Sequence, residues 1–378
     1  MQFIDLKAQY QALKTEIDGN IAKVLEHGRF ISGPEVKTLE EKLAAYVGVK
    51  HCITCANGTD ALELVLYAWG IGQGDAVFVP SFTFMSTGEV VAYLGATPVF
   101  VDIDLATFNM DVNSLEAAIL KVQKEGRFTP KAVIPVDLFG QCANYDAIIP
   151  IAQKYGLLVL EDGAQGFGGS IRGKRACSFG DAATTSFFPA KPLGCYGDGG
   201  AIFTDNDELA ELLRSLVVHG KGAEKYDNVR IGRNSRLDTI QAAILLPKLK
   251  ALEEYEIDWR NRWAAMYSEK LSGHVATPYV PEGYVSSWAQ YTIRLKDKAE
   301  RETMQERLRE AGIPSMVYYA KGLHQQEAFK GCRQYVDCPN TEMVCKQVLS
   351  LPMHAYLEEK NVEKTCEIIM SKMDFVLI

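Results

Sequence analysis

The chain has 378 residues, 47% of them hydrophobic and 23% charged, with a formal net charge of -8, which is an ordinary globular composition with enough residues for a large core. A mildly acidic chain without a Lys/Arg block is not expected to bind nucleic acid. It has no run of roughly 18 apolar residues that would span a membrane, and its first residues do not resemble a signal peptide. Because nine scattered cysteines are typical of free thiols, we expect a cytoplasmic protein.

The hydrophobic pattern predicts alternating helices and strands. In chain order these are helices at 5–27 and 35–47, strand 50–54, helix 61–70, strand 76–79, helix 83–94, strands 97–102 and 132–136, helix 145–155, strands 157–160, 182–188 and 201–204, helix 237–272, strand 290–295, helix 301–311 and a helix beginning in 344–349. Most of the earlier strands are continuous apolar runs, which is typical of strands buried on both faces of a parallel sheet.

This alternation predicts an α/β fold with a mostly parallel sheet between helices. We expect Pro247 to kink the long helix at 237–272. The regular alternation of strands and helices ends near this helix, so we place a large domain at 1–250 and a smaller α+β domain at 251–378.

Two acids follow the apolar strand at 157–160, namely Glu161 and Asp162. Ligands of parallel sheets bind outside the carboxyl ends of the strands, so Asp162 lies where chemistry is expected. An acid at this position is also common as a helix N-cap or turn residue. The motif alone leaves both interpretations open.

Two further motifs suit a phosphorylated ligand with a reactive carbonyl. The strand at 182–188 leads to Lys191, which lies in a segment of Pro and Gly without acids. A desolvated amine of this kind is a usable nucleophile, although most lysines lie at the surface. The turn at 57–60 (NGTD) opens a helix, where the free N–H groups and the Thr59 hydroxyl can hold a phosphate. Alternatively, Asn57 or Thr59 is a plain N-cap of that helix.

Together the three motifs predict a site for pyridoxal 5′-phosphate (PLP). Such a site needs a lysine amine to hold the cofactor, a carboxylate at the pyridine nitrogen and a cup for the phosphate. Lys191, Asp162 and the turn at 57–60 supply these groups in one chain.

The sequence resembles the DegT/DnrJ/EryC1/StrS family of sugar aminotransferases along almost its whole length. The matching segments are GPEVKTLEEKLAAYVG, CANGTDAL, FVPSFTFMST, GATPVFVDID, EDGAQGFGG, SFFPAKPLGCYGDGGAIFT and GRNSRLDTIQAAIL. The resemblance implies an aspartate-aminotransferase-type (fold type I) large domain, an aminotransferase that uses PLP, and a homodimer.

The resemblance also implies roles for individual residues. Lys191 would be catalytic and would hold PLP, and Asp162 would meet the pyridine nitrogen. The other implied cofactor contacts are Gly58, Thr59 and Asp60 at the phosphate, Phe84 at the ring face, Gln165 at the ring oxygen, Ser186 at the phosphate, and Asn234 at the phosphate from the other subunit.

A substrate is implied by the subgroup that the sequence resembles, whose members aminate the 3-keto group of a UDP-N-acetyl-hexuronic acid for lipopolysaccharide O-antigen. L-glutamate would be the amino donor. The implied substrate contacts are Arg236, Tyr318, Tyr319, Lys321 and His324. Arg236 suits an anionic group, or could form an ion pair with Asp238 or another acid. Ala320 and Gly322 depart from the prolines that the family often has there.

Other readings stay open for the reaction. The amino group could go to C4 of a UDP- or GDP-4-keto sugar, or to C3 of a dTDP-3-keto-6-deoxyhexose. A related sugar dehydratase would carry histidine in place of Lys191. A non-catalytic relative would only bind the sugar nucleotide. We predict no metal site, since Cys52 and Cys55 lack a second cysteine pair of matching spacing.

Overall fold

The computed structural model describes residues 1–224 and 226–371 and has an α/β architecture. Its helices are α1 (Leu6–His27), α2 (Pro34–Val47), α3 (Gly58–Ala68), α4 (Ser86–Tyr93), α5 (Val112–Glu125), α6 (Tyr145–Tyr155), α7 (Asp207–Leu216), α8 (Thr239–Ala251), α9 (Ile257–Leu271), α10 (Lys298–Glu310), α11 (Pro339–Gln347) and α12 (Glu359–Met370). Its strands are β1 (His51–Cys55), β2 (Asp75–Pro80), β3 (Thr97–Val101), β4 (Thr129–Val133), β5 (Leu158–Asp162), β6 (Ser170–Ile171), β7 (Lys174–Arg175), β8 (Ala182–Ser186), β9 (Gly200–Thr204), β10 (Tyr284–Val285), β11 (Tyr291–Arg294) and β12 (Val348–Leu351).

A seven-stranded sheet in the order β1-β9-β8-β5-β4-β2-β3 forms the centre of the molecule. β9 runs antiparallel to both of its neighbours, and the other pairs are parallel. The carboxyl ends of β1, β8, β5, β4, β2 and β3 therefore share one edge of the sheet. The prediction of a mostly parallel sheet between helices is confirmed.

The strands of this sheet are buried on both faces because side chains alternate between two apolar cores. In β2, Val77 and Val79 pack with the core that includes α3, whereas Phe78 packs with the core that includes α5 and α6. This explains why the strands appear in the sequence as continuous apolar runs.

A further core lies among α9, α10, α12 and the antiparallel pair β11-β12. The segment between α10 and β12 also reaches the carboxyl edge of the large sheet. There Asp102, just beyond β3, accepts hydrogen bonds from the backbone N–H groups of Asn340 (3.0 Å) and Thr341 (2.9 Å) at the start of α11. Residues that follow α10 are thereby fixed beside the strand ends.

One local prediction is wrong. Residues 344–349 do not begin a helix: α11 ends at Gln347 and Val348 starts β12. The kink at Pro247 stays a prediction: Pro247 lies within α8, and a π-helical segment, Leu252–Glu256, follows that helix. Pro247 has no N–H for the carbonyl of Ala243, and that carbonyl accepts a hydrogen bond from Asn20 Nδ2 at 3.3 Å instead.

The division into domains at residue 250 stays a prediction. Within residues 1–224 and 226–371, no helix is both long and apolar enough to cross a bilayer. Cys52 and Cys55 are buried, and neither is in a disulfide.

Candidate active site

Asp162 is the last residue of β5, and its carboxylate is buried at the carboxyl edge of the sheet. Thr87 Oγ1 donates to Oδ2 at 2.9 Å, and the backbone N–H of Ala164 donates to Oδ1 at 3.2 Å. Burial raises the pKa of Asp162, while these two donors and the positive charge of Lys191 oppose that rise. The two hydrogen bonds thus fix the carboxyl group and favour its charged form.

Lys191 lies five residues beyond the end of β8, the strand that pairs with β5. Its half-buried side chain has a pKa lowered by desolvation, and the negative charge of Asp162 opposes that shift. Each group therefore lies within electrostatic reach of the other. The structure brings together the amine and the carboxylate that the sequence predicts as one site.

A cup at the start of α3 lies along the same edge. Gly200 of β9 pairs with Cys55 of β1 on one side and with Ser186 of β8 on the other. Asn57 caps α3 by accepting from the Asp60 N–H at 2.8 Å. A Cβ atom at Gly58 would come within 2.7 Å of the Ser186 Cβ, so only glycine fits there.

The first N–H groups of a helix have no acceptor within the helix, so Gly58 and Thr59 offer donors to an anion beside the Ser186 hydroxyl. The Thr59 hydroxyl lies 2.7 Å from Ser86 Oγ. Ser235 Oγ donates to Asp60 Oδ2 at 2.6 Å, which ties the start of α3 to the segment that carries Asn234. The turn is thus more than a capped helix, because Gly58 packs against Ser186 at the end of β8.

Gln165 and Tyr319 lie next to Asp162. Gln165 Oε1 accepts from the backbone N–H of Phe139 at 2.8 Å, and its Nε2 donates to the Tyr319 hydroxyl at 3.3 Å. Burial raises the pKa of Tyr319, and the charge of Asp162 adds to that rise. The edge of the Tyr319 ring meets Phe82, with 5.8 Å between the ring centres.

Three other predicted residues lie at or near the surface. Phe84, in the loop between β2 and α4, is 54% exposed. Asn234 is exposed, and its Oδ1 accepts from Arg236 at 2.6 Å. The described hydrogen-bond partner of Arg236 is thus Asn234 rather than Asp238. Arg236 Nε is buried and has no hydrogen-bond partner among the residues that the structure describes.

The remaining predicted substrate residues differ in their surroundings. Tyr318 is half-buried, which raises its pKa, and Lys321 is exposed. His324 is held at both ring nitrogens, because Nδ1 contacts Ser81 Oγ and Nε2 lies 3.4 Å from Glu342. In this conformation the His324 ring has no nitrogen left for a substrate.

Sequence reasoning missed the polar groups that support Asp162. Thr87 belongs to a different strand–helix unit, so nothing near Asp162 in the sequence indicates it. Glu161, the residue before Asp162, and Asp137 are both buried, and burial together with the negative charge of Asp137 raises the pKa of Glu161. Because burial and the neighbouring charge both disfavour ionisation, this pair holds a proton more readily than two separate carboxyl groups would.

Comparison with known proteins shows which family shares this site. The DegT/DnrJ/EryC1/StrS aminotransferase model matches residues 11–370. The chain belongs to the DegT/DnrJ/EryC1/StrS aminotransferase family. The predicted family, its fold and its aminotransferase class are confirmed, whereas the roles of the individual residues stay predictions.

Three relatives illustrate the family. UDP-2-acetamido-2-deoxy-3-oxo-D-glucuronate aminotransferase of Pseudomonas aeruginosa is 50% identical over 97% of this chain and 98% of its own. A DegT/DnrJ/EryC1/StrS aminotransferase from Brucella abortus has a crystal structure that is 52% identical, with a TM-score of 0.96 over 98% of this chain and 99% of that one. A protein described as a sugar aminotransferase from Streptococcus pneumoniae, solved in its PLP form, is 25% identical, with a TM-score of 0.87 over 96% and 97% of the two chains.

The carboxyl pair beneath the site makes a prediction about pH. Burial raises the pKa of Asp137 to about 6 and that of Glu161 well above its ordinary value. The folded protein then holds protons that the unfolded chain has lost, so its free energy of unfolding falls as pH rises from about 5 to 8. In Asp137→Asn the amide oxygen still accepts from Ala143 and Tyr145, and one carboxyl group is gone.

We expect urea unfolding of Asp137→Asn to depend less steeply on pH, with a gain of about 1–2 kcal/mol over the native protein at pH 8. Asp205→Asn, a change at an exposed aspartate, is the control and should keep the native slope. Equal slopes for all three proteins would contradict the shared-proton description.

Proposed function

We propose that this protein is a PLP-dependent aminotransferase that moves an amino group from L-glutamate to the 3-keto group of a UDP-N-acetyl-hexuronic acid, for a sugar of lipopolysaccharide O-antigen. The observation that carries the proposal is that the Lys191 amine lies within electrostatic reach of the Asp162 carboxylate, beside the cup at the start of α3. The 50% identity to an enzyme named for a UDP-3-oxo-glucuronate supports the choice of sugar.

The residues present fit PLP. The cup offers the first N–H groups of α3 and the Ser186 hydroxyl, which suit a phosphate. Because Gly58 has no side chain, the backbone of the turn can lie close to Ser186 and to the phosphate. Asp162 would meet the pyridine nitrogen, where Thr87 and Ala164 keep its carboxylate oriented. When bound, PLP supplies an electrophilic carbon and a ring that stores an electron pair.

Lys191 would hold the cofactor and then serve as the proton carrier of the reaction. Desolvation lowers the pKa of its amine, so the amine gives up a proton more easily and can accept one from a substrate carbon. Asp162 opposes full neutralisation, which keeps both protonation states within reach. Gln165 has its oxygen fixed by Phe139, and its second amide N–H can donate to the ring oxygen of the cofactor.

Arg236 would bind the carboxylate of the hexuronic acid. Its guanidinium is held by Asn234, and its Nε has no partner among the described residues, so it has a donor to offer. Tyr318 and Lys321 would contact the rest of the sugar nucleotide, together with Tyr319. A substrate role for His324 requires that its ring leave Ser81 or Glu342.

The active site would be shared within a homodimer. Asn234 is exposed, and several large apolar side chains are exposed as well: Phe30 (48%), Ile31 (46%), Phe84 (54%), Phe188 (52%) and Ile231 (80%). We infer that the partner subunit covers these side chains. Phe84 and Phe188 belong to the loops that carry site residues, so a partner that covers them would also close the site. The nine free cysteines fit a reducing cytoplasm.

The reaction is tested by two half-reactions in Asp162→Asn and Thr87→Val. Native enzyme should lose its absorbance near 420 nm with L-glutamate and recover it with the UDP-3-keto-hexuronate, releasing 2-oxoglutarate. We expect Asp162→Asn to slow both steps about 10²–10⁴-fold because the ring nitrogen loses its ionic partner, and Thr87→Val about tenfold because it removes one hydrogen bond to that partner. Thr38→Val, a change at an exposed residue, is the control. Native rates in Asp162→Asn would contradict the assignment.

The sugar is tested by Arg236→Ala with two substrates that differ only in the carboxylate, UDP-3-keto-hexuronate and UDP-3-keto-N-acetylglucosamine. Loss of a charged hydrogen bond should lower kcat/KM for the uronate about 10–100-fold and leave the uncharged sugar within about threefold. An equal fall for both substrates, or none, would remove Arg236 from uronate recognition.

The shared site is tested by mixing two inactive variants, Lys191→Ala and Asn234→Asp, the second of which places a negative charge near the phosphate. If Asn234 acts across the interface, a mixed dimer has one intact site, and a statistical mixture should recover about a quarter of native activity. If Asn234 serves its own subunit, or if the protein is a monomer, mixing recovers nothing.

A further inference from the structure

The segment that carries Lys191 is a closed loop between β8 and β9. The backbone N–H of Cys195 donates to the carbonyl of Phe187 at 2.8 Å, which joins the two ends of the loop. The N–H of Lys191 donates to the Phe188 carbonyl at 2.9 Å. Gly194 is packed so tightly that a Cβ atom there would lie 2.4 Å from the Pro189 carbonyl oxygen. The position of Lys191 therefore depends on how this loop is held from outside.

Helix α8 holds the loop through two side chains on one face. Gln241 Oε1 accepts from the backbone N–H of Tyr196 at 2.8 Å, and Lys248 Nζ donates to the carbonyl of Gly194. Residues seven apart lie two turns apart on the same side of a helix. Lys248 thus contacts the loop three residues beyond Lys191.

Burying the charged side chain of Lys248 at this position costs free energy. It is 1% exposed, and burial lowers the pKa of its ammonium to about 8, opposed by the negative charge of Glu256. The ammonium also lies 4.8 Å from the centre of the Tyr196 ring. An apolar side chain of the same length would fill this space without the cost of desolvation, so packing alone does not explain a lysine.

We propose that Lys248 is a positioning residue for the amino-transfer reaction, which fixes the loop at 187–196 through the Gly194 carbonyl and so sets the place of the Lys191 amine. This inference rests on the proposed function of Lys191. Lys248 contacts neither substrate nor cofactor and acts through the backbone of the loop.

The test compares Lys248→Met, which keeps the length of the side chain and removes the donor, with Lys248→Arg, which keeps a donor cation. Lys250→Met is the matched control, since Lys250 is exposed on the same helix. Hydrogen exchange of the 187–196 peptide is measured by mass spectrometry, with and without PLP, beside kcat and KM for the keto sugar.

In Lys248→Met we expect the 187–196 peptide to exchange about tenfold faster, with or without PLP, while peptides of β8, β9 and α8 stay near native. We expect kcat to fall about tenfold and KM to change less than about twofold. Lys248→Arg should restore most of the loop protection and most of kcat, and Lys250→Met should match the native enzyme.

Native exchange of the loop in Lys248→Met, or an equal rise across β8, β9 and α8, would overturn the proposal in favour of no role or a general stabilising one. Should Lys248→Met not fold, Lys248→Leu carries the same comparison, because leucine also lacks a donor for the Gly194 carbonyl. The exchange measured without PLP reports on the loop alone. The exchange result therefore remains valid even if Lys191 is not the lysine that binds PLP. That outcome would contradict the proposed function and not the role of Lys248 in the loop.

Discussion

The site depends on one electrostatic balance at the carboxyl edge of the sheet. Burial drives both Lys191 and Asp162 toward their neutral forms, and their opposite charges restrain that change. Thr87 and Ala164 add donors that favour the carboxylate. An amine whose pKa is lowered, beside a carboxyl group whose charged form is supported by two donors and a cation, is what a carbonyl cofactor with a protonated ring requires. If either residue moved into water, the pKa values of Lys191 and Asp162 would return to their ordinary range. The loops that carry the two residues would then no longer form one site.

Sheet topology makes this balance possible. Residues 57, 162 and 186 are far apart in the sequence, yet each lies at or just beyond the end of a strand at the same edge. The sequence predicts this edge because the apolar runs are unambiguous and polar motifs follow them. It also predicts Lys191, since a single lysine in a segment of Pro and Gly is unusual. These features are local in the sequence and can therefore be predicted without a structure.

What the sequence does not predict comes from contacts between distant residues. Three interactions join separate elements in this way. They are the hydrogen bond from Thr87 to Asp162, the carboxyl pair of Asp137 and Glu161, and the hydrogen bond from Lys248 to the Gly194 carbonyl. The error at 344–349 has another cause, since a short apolar run fits a helix or a strand equally well and only pairing with β11 decides. The sequence also gives no sign that Asn20, a side chain of α1, satisfies the carbonyl left free by Pro247.

Two lysines lie near this edge, the half-buried Lys191 and the buried Lys248, and desolvation lowers the pKa of both. Their surroundings separate their roles, because Lys191 faces Asp162 whereas Lys248 is bound to a backbone carbonyl. The most direct measurement is to load the enzyme with PLP, reduce it with borohydride and locate the added pyridoxyl group by peptide mass spectrometry. The account predicts that Lys191 alone carries the group. A label on Lys248, or on no lysine, would contradict it.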